Sequence, residues 1–271
     1  MKLLNGLEIA EYIQERQAKQ VRALRQAQGI APKLVVIRTD SSPESDSFLK
    51  LYQNYAKEIS VDLELIDVVE SKAAEEIAKY NADSSIHGII VQLPLPDNSH
   101  LDEVLNTVDS RKDVAGLGVE TIYDTPTPLA IDWLLSGYNV DLRGKNIVII
   151  GQDRTIGMPL AKRWQNSGLE VISTDNDAQN LSELTRSADV LVLSTGIAGF
   201  IKPDMVKPSA VIVDAGTATD TNGFVGEVAQ EVRQLPDIKI TPENDGLRPL
   251  VVCALFDNVI RAAQLSAKGN L

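Results

Sequence analysis

The sequence predicts an α/β fold built on parallel sheets. Three observations carry this. Strand-like and helical stretches alternate along the chain; strands such as IVII (147–150) and DVLVL (189–193) are almost continuous in Val, Ile and Leu, as strands covered on both faces are; and a glycine-bounded turn joins one such strand to a helix. At 271 residues with 44% apolar content, the chain can build one large or two medium domains with real cores.

Apolar periodicity from Leu7 to about Ala27 gives a first helix, and KLVVIR (33–38) reads as a short buried strand. Helix over 44–59, strand over 61–67 (VDLELID), helix over 71–82 and strand over 86–93 (IHGIIVQL) follow, so the first 118 residues form one β/α series. Pro94, Pro96 and the polar DNSH end that strand in a stiff loop. Pro126 and Pro128 precede a helix over 129–137. A second series then runs as strand 147–150, helix 157–167, strand 169–174, helix 180–187, and strands 189–193 and 210–214. An amphipathic helix over 249–267 closes the chain, and no internal repeat or low-complexity tract is present.

Composition excludes several classes. The formal net charge is −12, from 38 acids against 26 bases without a basic cluster, which argues against nucleic acid or an anionic membrane as partner and reads first as solubility. His87 and His100 are too few and too isolated for a histidine-based metal site, and no metal is expected. His87, just ahead of a buried strand, reads as a packing or hydrogen-bonding residue. Cys253 is the single cysteine, makes no internal disulfide, and sits in an apolar helical stripe as plain core. Charges interrupt the apolar residues of MKLLNGLEIAEYIQERQ, so the N-terminus reads as the start of an amphipathic helix rather than a signal peptide; runs such as NIVIIG and DVLVLSTG are too short to span a bilayer. A cytoplasmic location is expected.

The stretch NIVIIGQDRTIGMPLA (146–161) raises the question of a ligand. A strand, a glycine turn and a helix N-terminus make an anion site, because unpaired N–H groups and the positive end of the helix dipole face the turn. The spacing from Gly151 to Gly157 is G-x-x-x-x-x-G, neither the dinucleotide G-x-G-x-x-G nor a Walker loop, so a ligand-free βα turn stands as the equal alternative. The next strand ends in LEVISTDND, which puts Asp175 24 residues after Gly151. An acid about 20 residues on accepts from the ribose hydroxyls of NAD. Asp153, Asp175 and Asp177 would repel the 2′-phosphate of NADP, and no Arg or Lys within 173–179 receives it, so NAD is expected rather than NADP if a dinucleotide binds. Asp175 reads equally well as a turn or N-cap residue ahead of helix 180–187.

The motifs VQLPLPD (91–97), DVAGLG (113–118), TPTP (125–128), IVIIGQDRTIGMPLA, ADVLVLSTGIAGFI (188–201), AVIVDAGT (210–217) with GEV (226–228), and TPENDGLRPLVV (241–252) stand in the order of the methylenetetrahydrofolate dehydrogenase/cyclohydrolase (FolD) family, which the chain resembles over essentially its whole length. The resemblance implies two α/β domains flanking a cleft and a homodimer. It implies an N-terminal three-layer α/β folate-type domain, residues 1–120 plus 250–271, and a C-terminal Rossmann-type parallel-sheet domain for the nicotinamide cofactor, residues 121–249. It further implies hydride transfer from methylenetetrahydrofolate to the cofactor, then hydrolysis of the methenyl product. Gln92, Pro94, Ala115, Gly246, Arg248 and Pro249 fall at folate-side positions. Gly151, Gln152, Asp153, Gly157, Asp175, Asn176, Thr195, Gly196 and Thr217 fall at cofactor-side positions.

The sequence departs from the family pattern on the folate side. The family places a Tyr and a Lys four residues apart on one helix face, and in SPESDSFLKLYQNYAKE these positions are Phe48 and Tyr52. The Lys is the family's cyclohydrolase residue, and a phenol with a pKa of about 10 carries no ammonium charge at neutrality. Lys50 lies roughly half a turn off that face. The pterin-anchoring acid of D-V-D-G is Ala115, leaving Asp113 as the only acid of the motif. The glycine-rich P-G-G-V-G-P has become Asn244-Asp245-Gly246-Leu247-Arg248-Pro249, and Gln152-Asp153 replaces the usual Arg-Ser after the first loop glycine. Gln92 is retained, with a strand-end amide serving local backbone as the alternative role.

These departures predict a methylenetetrahydrofolate dehydrogenase that has lost cyclohydrolase activity, since hydride transfer depends on positioning more than on a proton-shuttling side chain. Two alternatives stand beside it: the standard bifunctional enzyme, and a catalytically inactive paralogue whose ligand is another small molecule or a protein partner.

Overall fold

A computed structural model of the chain describes residues 1–216, 218–220, 223–243 and 246–269. In chain order the elements are β1 (Lys2–Leu3), α1 (Gly6–Gln28), β2 (Lys33–Arg38), α2 (Pro43–Ile59), β3 (Asp62–Asp67), α3 (Ala73–Ala82), β4 (Gly88–Val91), α4 (Leu101–Thr107), α5 (Pro126–Gly137), β5 (Ile147–Ile150), α6 (Gly157–Asn166), β6 (Val171–Thr174), α7 (Leu181–Ser187), β7 (Val190–Leu193), β8 (Val211–Asp214), β9 (Ala218–Asp220), β10 (Gly223–Val225), β11 (Lys239–Ile240) and α8 (Arg248–Ala267). They fall into two compact units, one of residues 11–126 with 252–271 and one of residues 1–10 with 127–251.

In the unit of residues 11–126 and 252–271, a three-stranded parallel sheet runs in the order β3-β2-β4, with Leu34 opposite Gly88 and Ile37 opposite Val91. Side chains of a strand alternate between faces, so β2 sends Leu34 and Val36 into one core and Val35 and Ile37 into another. The first core holds Val21 and Leu24 of α1, Leu49 and Ile59 of α2, and Phe256 and Val259 of α8. The second holds Ile77 of α3 and Val104 and Leu105 of α4. Helices therefore cover both faces of the sheet, which makes this unit three-layered. Each large side chain so buried contributes about 1.5–3 kcal/mol. Helix α2 is well delimited: the Ser42 hydroxyl accepts from Ser45 N, Pro43 opens the first turn, and Ser60 leaves the helix at a φ of +63°. Helix α8 is long and apolar enough to cross a membrane by length and composition alone, and 61% of its most apolar window is buried inside the protein.

In the other unit, six parallel strands run in the order β1-β11-β8-β7-β5-β6, and β9 and β10 pair separately as an antiparallel hairpin. From β5 the chain goes first to β6 on one side and then to β7 on the other, so the loops after β5 and β7 diverge at the carboxyl end of the sheet. That crevice is where open parallel sheets bind ligands.

Several expectations need correcting. Residues 1–10 do not group with the chain that follows: Lys2 N and Leu4 N donate to Ile238 O and Ile240 O at 2.8 Å each, which adds β1 to the edge of the six-stranded sheet. Pro126 and Pro128 lie inside the first turn of α5 rather than ahead of it, where a missing N–H costs nothing. The polar stretch after Pro96 is not only loop, because α4 buries Val104 and Leu105 there. The strand expected over 86–93 is confined to Gly88–Val91. Strands β1, β9, β10 and β11 are too short to leave a periodic signature.

Candidate functional site

In the first unit, the positions that the resemblance assigns to the folate side include Gln92 and Pro94, just after β4. Gln92 N continues the sheet by donating to Ile37 O at 2.9 Å, which turns the side chain inward, and the residue is only 8% exposed. Its Nε2 donates to the Ser45 carbonyl at 2.6 Å, and its buried Oε1 has no hydrogen-bond partner. A buried amide acceptor without a partner is destabilising, by about 1–3 kcal/mol. Pro94, joined to Leu93 by a cis bond, lies exposed two residues on.

On α2, Phe48 and Tyr52 share one helix face with ring centroids 6.4 Å apart. Both are half-buried, and burial pushes the Tyr52 phenol up to about 12. The pair is neutral across the physiological range. Lys50, roughly half a turn off this face, is exposed, and so is Lys57, more than a turn further along. Tyr55, one turn from Tyr52 on the buried side, donates to Gln17 Oε1 at 2.6 Å, and its hydroxyl lies within hydrogen-bond distance of Cys253 Sγ at 3.1 Å, so Cys253 takes part in a buried polar contact as well as in the core.

Ala115 packs half-buried against the first core and carries no polar group. The neighbouring acid, Asp113, is turned onto its own loop: its Oδ2 accepts from Leu117 N at 3.0 Å and from Gly118 N at 2.8 Å. Burial pushes the Asp113 carboxyl up, opposed by these bonds. Its visible role is to close the 113–118 turn. His87 likewise serves local backbone, with Nδ1 accepting from Lys33 N at 3.2 Å.

In the second unit, the turn after β5 is drawn tight by its own backbone. Gly151 has a φ of +104°, and a Cβ there would stand 2.2 Å from Ser194 O; a Cβ on Gly157 would stand 1.9 Å from Gly151 O. Both glycines are thus required by chain packing. Asp153 sits inside the turn, where its Oδ1 accepts from Thr155 N at 2.8 Å and Ile156 N at 2.9 Å, and its Oδ2 accepts from Gly157 N at 3.1 Å. Gln152 is exposed and donates to Ser173 O at 3.3 Å. Asp175 and Asn176 are exposed at the end of β6, with Asp175 Oδ1 accepting from Asn176 N.

The loop after β7 is held by a residue whose one mark in the sequence is the GEV motif. Glu227, fully buried, accepts from Thr195 N at 2.9 Å, Thr195 Oγ1 at 2.8 Å and Gly196 N at 2.7 Å. Asp214 at the end of β8 accepts in turn from Glu227 N at 3.0 Å and pairs with Arg233 at 3.2 Å. Burial pushes both carboxyls up, against the hydrogen bonds that favour their ionised forms. The GEV motif was the only signal for Glu227, and its meaning depends on the β7 loop that packs over it.

Gly246 O accepts from Gly6 N at 2.9 Å, and a Cβ on Gly246 would stand 2.7 Å from Pro242 O, so this glycine too is held by the chain itself. Arg248 and Pro249 open α8. Thr217, Asn244 and Asp245 lie outside the described residues. Among the described residues, no group of three or more His, Cys, Asp or Glu is placed to hold a metal ion.

The family models of the tetrahydrofolate dehydrogenase/cyclohydrolase catalytic domain and NAD(P)-binding domain match residues 4–115 and 125–267. The bifunctional protein FolD of Streptococcus uberis is 34% identical over 275 residues, covering 96% of this chain and 97% of that protein. The crystal structure of the bifunctional FolD enzyme of Campylobacter jejuni superposes with a TM-score of 0.91 at 30% identity over 100% of both chains. A methylenetetrahydrofolate dehydrogenase of the silkworm, Bombyx mori, gives a TM-score of 0.90 at 28% identity over 99% of both. With both family models matched in order and a relative above 30% identity along almost its full length, the chain belongs to the tetrahydrofolate dehydrogenase/cyclohydrolase family.

Proposed function

We propose that the chain acts on one-carbon derivatives of tetrahydrofolate, as the bifunctional dehydrogenase/cyclohydrolase for which its Streptococcus uberis relative is named. The observation that carries this reading is Gln92. Its Nε2 is fixed on Ser45 O while its buried Oε1 stays without a partner, so a donor group of a ligand would complete it at little reorganisation. Direct binding tests it: tetrahydrofolate should bind the native chain and lose most of its affinity in Gln92→Ala.

Helix α2 favours a second reading, a dehydrogenase alone. The neutral Phe48 and Tyr52 pair offers no ammonium for the hydrolytic step, and a phenol held near 12 is a weak proton donor at neutrality. Separate assays of methylenetetrahydrofolate oxidation and methenyl hydrolysis decide between the two. Oxidation with no hydrolysis above the uncatalysed rate selects the second reading. Hydrolysis that survives Tyr52→Phe selects the first and shows that it runs without this face of α2. Binding of neither folate nor nucleotide selects the inactive paralogue.

The choice of NAD over NADP rests on Asp175 and Asp177, both exposed, with no cation within 173–179 to receive a 2′-phosphate. The pyrophosphate itself does not fit the α6 turn as it stands, because Asp153 already takes its N–H groups. A homodimer and a cytoplasmic location belong to the same reading; sedimentation at micromolar concentration tests the first.

A further inference from the structure

In a parallel α/β sheet the helix after the first strand of the nucleotide half presents free backbone N–H groups to the pyrophosphate. In this chain none of those from residue 155 to residue 160 is free. Thr155 N and Ile156 N donate to Asp153 Oδ1, Gly157 N donates to Asp153 Oδ2, and Met158 N donates to the Asp153 carbonyl at 3.1 Å. Pro159 has no N–H, and Leu160 N already donates to Ile156 O within the helix at 2.9 Å. One aspartate therefore satisfies the whole N-terminal turn of α6, and its negative charge sits where the helix dipole is positive. A phosphate approaching the same turn meets no free backbone N–H from residue 155 to residue 160, and a like charge at Asp153.

We infer that Asp153 is a specificity-determining residue that closes the α6 phosphate seat, so that nucleotides carrying a pyrophosphate bind weakly until this carboxylate leaves the turn. The inference rests on the nucleotide half of the family reading and is independent of the folate half. It separates Asp153 from Asp175: the first acts against every pyrophosphate, the second only against the extra phosphate of NADP. It also explains both loop glycines without a ligand, because Gly151 and Gly157 are needed to bring the turn close enough for one side chain to span it.

The test is calorimetric titration of the native protein, Asp153→Asn and Asp153→Ser with ADP, NAD and adenosine. Asn keeps an acceptor for Thr155 N and Ile156 N while removing the charge; Ser shortens the side chain and frees donors. Both variants should unfold within a few degrees of the native protein, which verifies that α6 persists. The expected result is a gain of about tenfold or more in affinity for ADP and NAD, largest for Ser, with adenosine unchanged; removing a like charge from a partly buried helix terminus supports that size. Equal or weaker ADP and NAD binding in both folded variants overturns the inference. A gain for ADP with no tetrahydrofolate binding in any protein leaves the inference standing and removes the folate reading. No gain alongside intact tetrahydrofolate binding does the reverse.

Discussion

Two regions of this chain, the end of β4 and the start of α6, solve the problem of unpaired polar groups in opposite ways. At the end of β4, Gln92 keeps a buried acceptor without a partner, and at the start of α6, Asp153 leaves no donor unpaired from 155 to 160. The first arrangement is incomplete in a way that a ligand repairs, at a standing cost to stability. The second is complete in itself, which stabilises the helix end and removes it as a place for a ligand. A retained motif can therefore differ in what it leaves open to a ligand. What distinguishes the two is whether the chain can satisfy the group from its own side chains.

The largest effect should come from the turn itself. Gly151→Ala puts a Cβ against Ser194 O at a φ of +104°, and we expect a loss of roughly 3 kcal/mol or more in denaturant unfolding, or no soluble protein. A change under about 1 kcal/mol would mean that the turn has room for a Cβ and that Asp153 need not span it.

Gln92→Leu attacks the other side of the comparison. It removes an unpaired acceptor together with one hydrogen bond, so unfolding free energy should move by less than about 1 kcal/mol while tetrahydrofolate affinity falls at least about tenfold. A large stability loss with unchanged affinity would make Gln92 a structural residue.

The double change Phe48→Tyr with Tyr52→Lys restores the family's phenol and ammonium on one face of α2. Methenyl hydrolysis should rise by on the order of tenfold or more over the native rate, with oxidation little altered. An unchanged hydrolysis rate would place the limiting group elsewhere, with Ala115 the next position to restore.

The smallest effect is a pH dependence at the β7 loop. Burial raises the folded-state pKa of Glu227 above its unfolded value, so the native state holds a proton that the unfolded state has released in the window from the ordinary carboxylate range upward. Its contribution is fully present below the unfolded pKa and is lost as pH rises through the folded pKa. The stability difference between the native protein and Glu227→Gln should therefore shift against the native protein between mildly acidic and neutral pH. A difference that stays flat with pH would show that the Thr195 and Gly196 bonds cancel the desolvation.

Much of this architecture is legible in the residues. Runs such as IVII at 147–150 fix buried parallel strands because both faces must be apolar, and KLVVIR gives β2 to the residue. The helix expected over 44–59 matches α2 to within one residue, and the absence of Tyr and Lys at 48 and 52 follows from the sequence alone. What it does not carry is any element of two or three residues: β1 and β11 exist through each other and through β8, at separations of more than 200 residues along the chain in the first case. Helix α4 is illegible for a related reason, since seven residues after a proline loop hold too few apolar positions to show a period.

The sequence by itself determined the family, the two β/α series and the residues at positions 48 and 52 of α2, because these depend on residue type, order and periodicity. Only the tertiary structure decided that Gln92 is left with an open acceptor while Asp153 closes its own turn, and that Glu227 holds the loop after β7. A hydrogen bond is a matter of position within about 3 Å, and whether an acid near a helix end receives a ligand's proton, caps the helix or repels a phosphate is settled by where the folded backbone places its N–H groups.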